Sequence, residues 1–410
     1  MMESLTKNKQ DKSTIKQMVE KYFSPLELKT YKELTEGYFN VAYEITLSDE
    51  QKVILKIAPS KEIRIMTYEK NIMFSEVEAM KTAARYEEIP VPEVIGYDDS
   101  CTICETPYFF MEKLEGKSLN AVKSSLTPDQ IETIYTETGE INRKINEICC
   151  SCFGYPGQPE FQGEEWYPVF RKMLEAGVND AKHGNVDLKI PIDNMWACLE
   201  EDKEIFKEVT EPKLVHWDCW DGNIFVLNGR VTGLIDWERS LWADPLMEVG
   251  FRTYSDNTFF QKGYGIGALT EKQRRRALWY DIYLMVLVAS ECEYRNYETM
   301  DMYHWSTQVL MKQFAKAAAR KDNMQNNKYE LIQNLDKLHT TDLGIVRIKK
   351  NLSLDVEDVV VWCSDEIQKP NAVITRRGKN WYIDIDECEI TVNAYSYTII
   401  TAHKTKGEPK

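Results

Sequence analysis

Residues 214–238, LVHWDCWDGNIFVLNGRVTGLIDWE, place His216, Asp218, Asn223 and Asp236 at fixed offsets. An Asp, an Asn five residues later and an Asp thirteen beyond that form a recurring set for phosphoryl transfer. The first carboxylate can orient a substrate hydroxyl. The Asn and the second Asp can hold Mg2+ against a nucleotide triphosphate, since hard cations take oxygen ligands. The segment reads as a tight loop between two hydrophobic strands. An ordinary hairpin with Asp, Asn and Gly at its tip is the competing reading. Conjunction weighs against it: LV and IFVL flank a short loop, and the next strand, VTGLI, runs into Asp236-Trp237-Glu238. Acids at the end of a buried strand lie where ligand chemistry gathers.

If this is a catalytic loop, the upstream half should hold the phosphates. Lys56, inside the strand Val53–Ile57, is the right type in the right place, and a helix acid should hold it. A charge inside an apolar strand means an edge position or a functional pairing. Glu76 and Glu78 are the acids available, and helical geometry puts Glu76 on the stripe of Met73 and Met80. Gly37-Tyr-Phe-Asn40 would be a phosphate-covering turn, although a plain β-turn explains it equally. Phe110–Leu114, with Met111 and Lys113, would offer backbone groups to the nucleotide base; the alternative is a simple buried strand. His216 joins Asp218 in the catalytic loop, bracing it by hydrogen bonding more than titrating.

The segment resembles the motif pair of the aminoglycoside phosphotransferase and choline kinase family, H-G-D-x-x-x-x-N followed by I-D-[WF]-E. Here the motifs are HWDCWDGN and IDWE, and the resemblance covers roughly residues 25–325. Trp217 replaces the usual Gly, and Gly takes φ > 0 where Trp does so only with strain. The resemblance implies an α+β, bilobal protein-kinase-like fold with a β-rich N-terminal nucleotide lobe, 1–115. A helical lobe, 116–325, would carry the catalytic loop and the acceptor site. It implies a small-molecule kinase moving the γ-phosphate of ATP or GTP, with Mg2+, to a hydroxyl of an aminoglycoside-like or amino-alcohol acceptor. The other reading is a nucleotide-binding kinase-like protein whose C-terminal domain has an RNA-related or regulatory role.

Acceptor recognition is expected near Trp220, Asp221, Glu238, Trp242 and Asp244. Tryptophan with acid suits a cationic, partly apolar ligand. Alternatively these tryptophans are core, and Asp244-Pro245 opens a helix. Glu248 lies where many family members carry a second Asp.

The elements follow from patterning. STIKQMVEKYF is a helix with a Ser or Thr start, and strands cover KELTEGYFNVAYEITLSDEQKVILKIAP. A helix is expected over 66–85, then strands in IPVPEVIGYDD and PYFFMEKLEG. Helices follow from Thr127-Pro128, at 271–296 and at 300–320, with RKDNMQNNK (320–328) as a linker or helix end. Residues 329–355 read helical, before strands in AVITRRG, NWYIDID, CEITVNAY and YTIITAHK. This α+β unit, 330–410, is similar to a small bacterial domain family of unknown function. His339, His403, Arg347, Lys350 and Thr401 could form a basic pocket there. An RNA-related, a regulatory or dimerising, and a purely structural role stay open.

The chain has 410 residues, 43% hydrophobic and 29% charged, enough for a sizeable core and too apolar for disorder. A net charge of −15 argues against nucleic acid or anionic membranes over the bulk surface. It would suit a cationic substrate. Neither a signal peptide nor a membrane-spanning run of about 18 apolar residues is apparent. Ten scattered cysteines are no disulfide framework, and Cys101-x-x-Cys104 lacks a matching pair for zinc, so a reducing cytoplasm is expected.

Overall fold

The computed structural model describes residues 7–35, 39–255, 257–369 and 371–405, without the side chains of 320–329 and 377. Two compact units emerge, Met1–Ala317 and Ala318–Lys410. The first opens with α1 (Lys12–Phe23), whose start lies one step ahead of the expected Ser or Thr. Asp11 caps it by accepting from Thr14 N at 2.8 Å. Five antiparallel strands follow: β1 (Leu28–Leu34), β2 (Val41–Leu47), β3 (Lys52–Ile57), β4 (Val94–Asp98) and β5 (Tyr108–Glu112), in the order β1-β2-β3-β5-β4. β2 alternates buried and half-buried residues, as a strand with one face on a core does. β3 is central. Lys56 sits between Ala42 of β2 and Phe109 of β5, so it is not an edge residue and its charge needs a partner.

α2 (Ile72–Ala83) crosses between β3 and β4. The helix expected over 66–85 is shorter. Thr67–Glu69 is a 3-10 turn and Asn71 is left-handed at φ +52°. Tertiary hydrogen bonds take over the backbone there. Met66 N donates to Glu69 Oε2 at 2.7 Å, and Thr67 N to Asp180 Oδ2 at 2.7 Å.

After β6 (Lys117–Ser118) and α3 (Leu119–Val122), helices dominate: α4 (Pro128–Ile145), α5 (Trp166–His183) and α6 (Ile192–Glu201). α4 starts where the Thr127-Pro128 signal places it, with a Thr127–Gln130 capping box. Short strands then interrupt: β7 (Lys213–Val215), β8 (Ile224–Leu227), β9 (Arg230–Leu234) and β10 (Leu241–Ala243). β7 pairs with β10, while β8 pairs with β6 and β9. Residues 216–223 therefore pass from one small sheet to another, and the two strands flanking the loop do not form a hairpin. α7 (Thr258–Tyr264), α8 (Glu271–Tyr294) and α9 (Asp301–Ile332) follow. α8 is buried on every side from Arg276 to Cys292, the mark of a central helix. Residues 320–328, expected as a linker or a helix end, belong to the last part of α9. It contains neither Pro nor Gly, and polarity alone does not stop a helix.

The second unit carries α10 (Asp342–Leu352), α11 (Val359–Gln368) and the strands β11 (Val373–Arg377), β12 (Asn380–Ile385), β13 (Cys388–Asn393) and β14 (Ile399–Lys404), antiparallel in sequence order. Ile348, Cys363, Trp381, Ile383 and Ile390 form its core. The continuous helix expected over 329–355 is broken, because Thr341 caps α10 by accepting from Gly344 N at 3.1 Å. α11 was not foreseen. His339 bonds Thr398 at 2.9 Å and Lys337 O at 3.0 Å, and His403 lies 3.9 Å from Glu389. The two histidines thus have separate partners. Among the described residues, no helix is long and apolar enough to cross a membrane.

Candidate active site

Lys56 Nζ donates to Glu76 Oε1 at 2.6 Å and to Asp236 Oδ1 at 2.9 Å. Glu76 is fully buried on the α2 face that carries Met73, Val77 and Met80, whereas Glu78 is only half-buried, beside Lys81. Burial disfavours the Lys56 charge, but Asp236 and Glu76 outweigh it and hold the ammonium well above its usual range. Burial also pushes the Glu76 carboxyl up, while Lys56 holds Asp236 down against its own burial.

The β8–β9 hairpin sets the other side. Its ladder runs on to Ile235 N donating to Asn223 O at 3.0 Å, so Asn223 and Asp236 leave the hairpin together. Asn223 Nδ2 donates to Asp218 O at 2.8 Å and to Asp218 Oδ2 at 3.2 Å, which turns its amide oxygen away from Asp218. Asp236 takes a left-handed backbone, φ +63°, which Asp tolerates better than most residues. Glu238, expected on the acceptor side, is instead buried against the nucleotide-lobe residue Asn40, whose Nδ2 donates to Glu238 Oε2 at 3.1 Å. One oxygen each of Glu76, Asp236 and Glu238 lie within 4.8 Å of one another. Burial, then Asp236, pushes the Glu238 carboxyl far up.

His216 bridges the two halves. Its Nδ1 accepts from Asp218 N at 3.3 Å, which leaves Nε2–H to donate to Ile235 O at 3.1 Å. Burial pulls its pKa down to about 4, so the ring is neutral at physiological pH. It braces the Asp218 and Asp236 segments against each other and does not exchange protons. Burial pushes Asp218 up to about 6, against the pull of Arg239 and Arg252.

Trp217 sits at φ +62°, the conformation the replaced Gly would take freely. Glu248 holds it there. Its two oxygens accept from His216 N at 2.9 Å and Trp217 N at 3.1 Å, and Asn146 Nδ2 donates to the first at 3.1 Å. The indole stacks on Tyr283 at 5.3 Å and 15°. Trp217→Gly removes a fully buried indole, worth about 3–5 kcal/mol, and relieves about 1–2 kcal/mol of backbone strain. A net loss of about 1–4 kcal/mol is expected, read as a lower urea midpoint for that variant; a midpoint at or above wild type would contradict it.

The other candidates are more dispersed. Gly37 lies outside the described residues. Met111 is buried in the core and the Lys113 ammonium is held by Glu44 at 2.5 Å, which leaves backbone as their contribution to a ligand. Asp221 is held by Lys123 at 2.6 Å and Tyr135 at 2.8 Å, Trp242 packs on the core, and Asp244 pairs with Arg276 at 2.8 Å. Each of these three side chains is thus tied into the protein itself. Trp220 remains exposed beside the loop.

Sequence reasoning did not single out Arg239 or Arg252. Arg239 Nε lies 4.0 Å from Asp218 Oδ2 and its Nη2 donates to Glu291 Oε1 at 2.5 Å. Arg252 Nη2 donates to Trp217 O at 3.2 Å. A cation directly after IDWE was the available signal for Arg239.

Residues 30–278, more than half of the chain, match the family described as phosphotransferase enzymes. The chain belongs to the phosphotransferase enzyme family. Residues 332–403 match a second family, described as a protein of unknown function, DUF3781. Among solved structures, this phosphotransferase is similar to a thermostable mutant of aminoglycoside phosphotransferase APH(4)-Ia in ternary complex with ADP and hygromycin B. The TM-score is 0.54 at 16% identity, over 75% of this chain and 99% of that one. A gentamicin complex of APH(2")-IIa gives 0.52 at 16% identity, over 74% and 97%. These likenesses establish the bilobal kinase-like fold, with a sheet-built N-terminal region and a helical C-terminal one. A subtelomeric hrmA-associated cluster protein of Aspergillus fumigatus is 32% identical over 125 residues, 30% of this chain. The phosphotransferase spans only 23% of the length of that curated relative.

Proposed function

We propose that this phosphotransferase moves the γ-phosphoryl group of ATP or GTP to a hydroxyl of a small molecule. One observation carries the reading: a neutral His216 ties the segment holding Asp218 to the segment holding Asp236, which Lys56 and Glu76 engage from the other lobe. Lys56 fixes the phosphates, and Asp218 orients the acceptor hydroxyl and takes its proton. Bound nucleotide in related structures (ADP in the hygromycin B complex) supports the donor class. The bound hygromycin B and gentamicin make aminoglycosides and amino alcohols the first acceptors to try. Ten free thiols fit a reducing cytoplasm.

The residues fit Mg2+. The free amide oxygen of Asn223 and the Asp236 carboxylate are hard donors, and buried Glu76 Oε2 and Asn40 Oδ1 beside them lack partners. Asn223 and Asp236 would hold the ion, which neutralises phosphate charge when bound.

Phosphate transfer from ATP and GTP across hydroxylated amines and polyols tests the reading; no turnover with any acceptor would sink it. Lys56→Met is expected to weaken nucleotide use by about ten- to hundredfold, as loss of charge-assisted hydrogen bonds does. Unchanged nucleotide KM and kcat in that variant would remove Lys56 from the phosphate site.

A further inference from the structure

The chain from Thr67 to Ser75, which leads into Glu76, is fastened along its length to the helical lobe. Asp180 on α5 accepts from Thr67 N at 2.7 Å and from Thr67 Oγ1 at 2.8 Å, so both of its oxygens are used. Gln158 Nε2 donates to Tyr68 O and to Lys70 O, each at 2.9 Å. Asn71 Nδ2 donates to Gly157 O at 3.0 Å, and Gly157 N donates back to Ser75 Oγ at 2.9 Å. Ser75, Gln158 and Asp180 are buried. Hydrogen bonds between buried groups are costly to break, because each partner is left unpaired.

Position 157 has no room to spare. A Cβ at Gly157 would lie 2.7 Å from Asn71 O and 2.8 Å from Ser75 Oγ. Only glycine lets this loop approach the start of α2 so closely. On its apolar face α2 shares one core with both lobes. Met73, Val77 and Met80 belong to it together with Ile54 and Phe109 of the sheet and with Leu234 and Trp237. α2 also packs directly on the Trp237–Arg239 turn that follows Asp236. Lys56 therefore reaches from the sheet to two carboxylates, Glu76 and Asp236, that are both anchored in the helical lobe. Each of these ties joins protein to protein and asks nothing of a nucleotide.

We propose that Asp180, Gln158 and Gly157 are positioning residues for Glu76. The helical lobe fixes α2, so the Lys56–Glu76 pair stands ready before nucleotide binds, and α2 does not swing when it does. The kinetic consequence rests on the phosphotransfer reading above. A nucleotide that meets a finished site bears no cost of ordering it. Loosening α2 until its productive position is populated about one time in ten would raise the apparent nucleotide KM about tenfold.

Hydrogen exchange on the full chain, with and without Mg-ADP, tests the placement without turnover. Without nucleotide, the amides of 72–83 are expected to exchange at least as slowly as those of α4, and to gain little from Mg-ADP. Gly157→Ala presses on Asn71 O, so exchange over 72–80 should rise about tenfold while α4 keeps its wild-type rates. A gentler probe is Thr67→Val, which deletes only the Oγ1 donor, beside Thr67→Ser, which keeps it. With Mg-ATP and an accepted hydroxyl compound, Thr67→Val should raise nucleotide KM about tenfold and leave acceptor KM unchanged. Thr67→Ser should stay close to wild type. In a Glu76→Gln background Thr67→Val should add little, because the residue it acts through is already lost. Full additivity would show a general structural role and overturn the inference. So would α2 amides that exchange fast without nucleotide and slow with it, or exchange unchanged in both Gly157→Ala and Thr67→Val. If no acceptor turns over, the phosphotransfer reading fails and hydrogen exchange alone decides the inference.

Discussion

Asp218→Ala should lower kcat by about 10²–10⁴ while nucleotide still binds. Asp218 is half-buried, and its carboxylate faces Asn223 Nδ2 at 3.2 Å and Arg239 Nε at 4.0 Å, whereas Lys56 bonds Glu76 and Asp236. In the proposed mechanism its removal takes away the proton acceptor and leaves Lys56, the proposed phosphate contact, in place. Burial raises the carboxyl to about 6, and Arg239 and Arg252 keep it from rising further. At pH 7 to 8 the group is ionised and its basicity is near the operating range, where a general base is most effective. An interaction made only in the transition state lowers kcat and kcat/KM together. Asp218→Asn keeps the shape and still loses the base, so it should fall with Asp218→Ala. Steady-state kinetics with ATP and any accepted hydroxyl compound decide it. Normal turnover in either variant would remove Asp218 from the chemistry.

The motif pair made much of this site legible. Spacing alone put Asp218, Asn223 and Asp236 together, and the helical stripe chose Glu76 over Glu78, a choice matched by the full burial of Glu76 and its bond to Lys56, while Glu78 is half-buried at the surface. What stayed hidden depends on tertiary partners. Glu238 reads as an acid after a motif, yet Asn40, 198 residues away in sequence, draws it toward the nucleotide lobe. Asp221 and Asp244 look like free acids until Lys123, Tyr135 and Arg276 are seen to hold them. Thr67 cannot be read as a helix breaker, because Asp180 supplies the reason. Trp217 was legible as an irregularity but its resolution was not: Glu248 and Tyr283 reach it from elements remote in sequence.

Glu291→Gln should be among the most destabilising single changes in the first unit. Glu291, on α8, joins Arg239, Arg295 and Tyr68, and Arg295 continues to Glu69 at 2.7 Å. Each of these residues is buried. Burial alone would raise the Glu291 carboxyl, but Arg239 and Arg295 overcome it and hold it down at about 2. Removing the charge leaves two buried guanidiniums short of a counter-ion, at a cost of about 3–5 kcal/mol. The pKa displacement gives the same scale, about 3 kcal/mol at 1.36 kcal/mol per unit. The sign follows from the depressed folded value. The contribution is fully present above the ordinary Glu range near about 4.3 and is lost as pH falls toward 2. Because Gln imitates the protonated acid, the stability gap between wild type and Glu291→Gln should be widest at neutral pH and close progressively below about pH 4.3. Raised carboxyls such as Asp218 and Glu248 act in the opposite direction in both proteins, and the difference between the two curves cancels them. Urea unfolding at a series of pH values reads the gap directly. A gap that stays constant down to pH 3 would mean that the two arginines do not hold Glu291 ionised, and that the link from Asp218 through Arg239 to the Tyr68–Glu69 turn is packing without charge pairing.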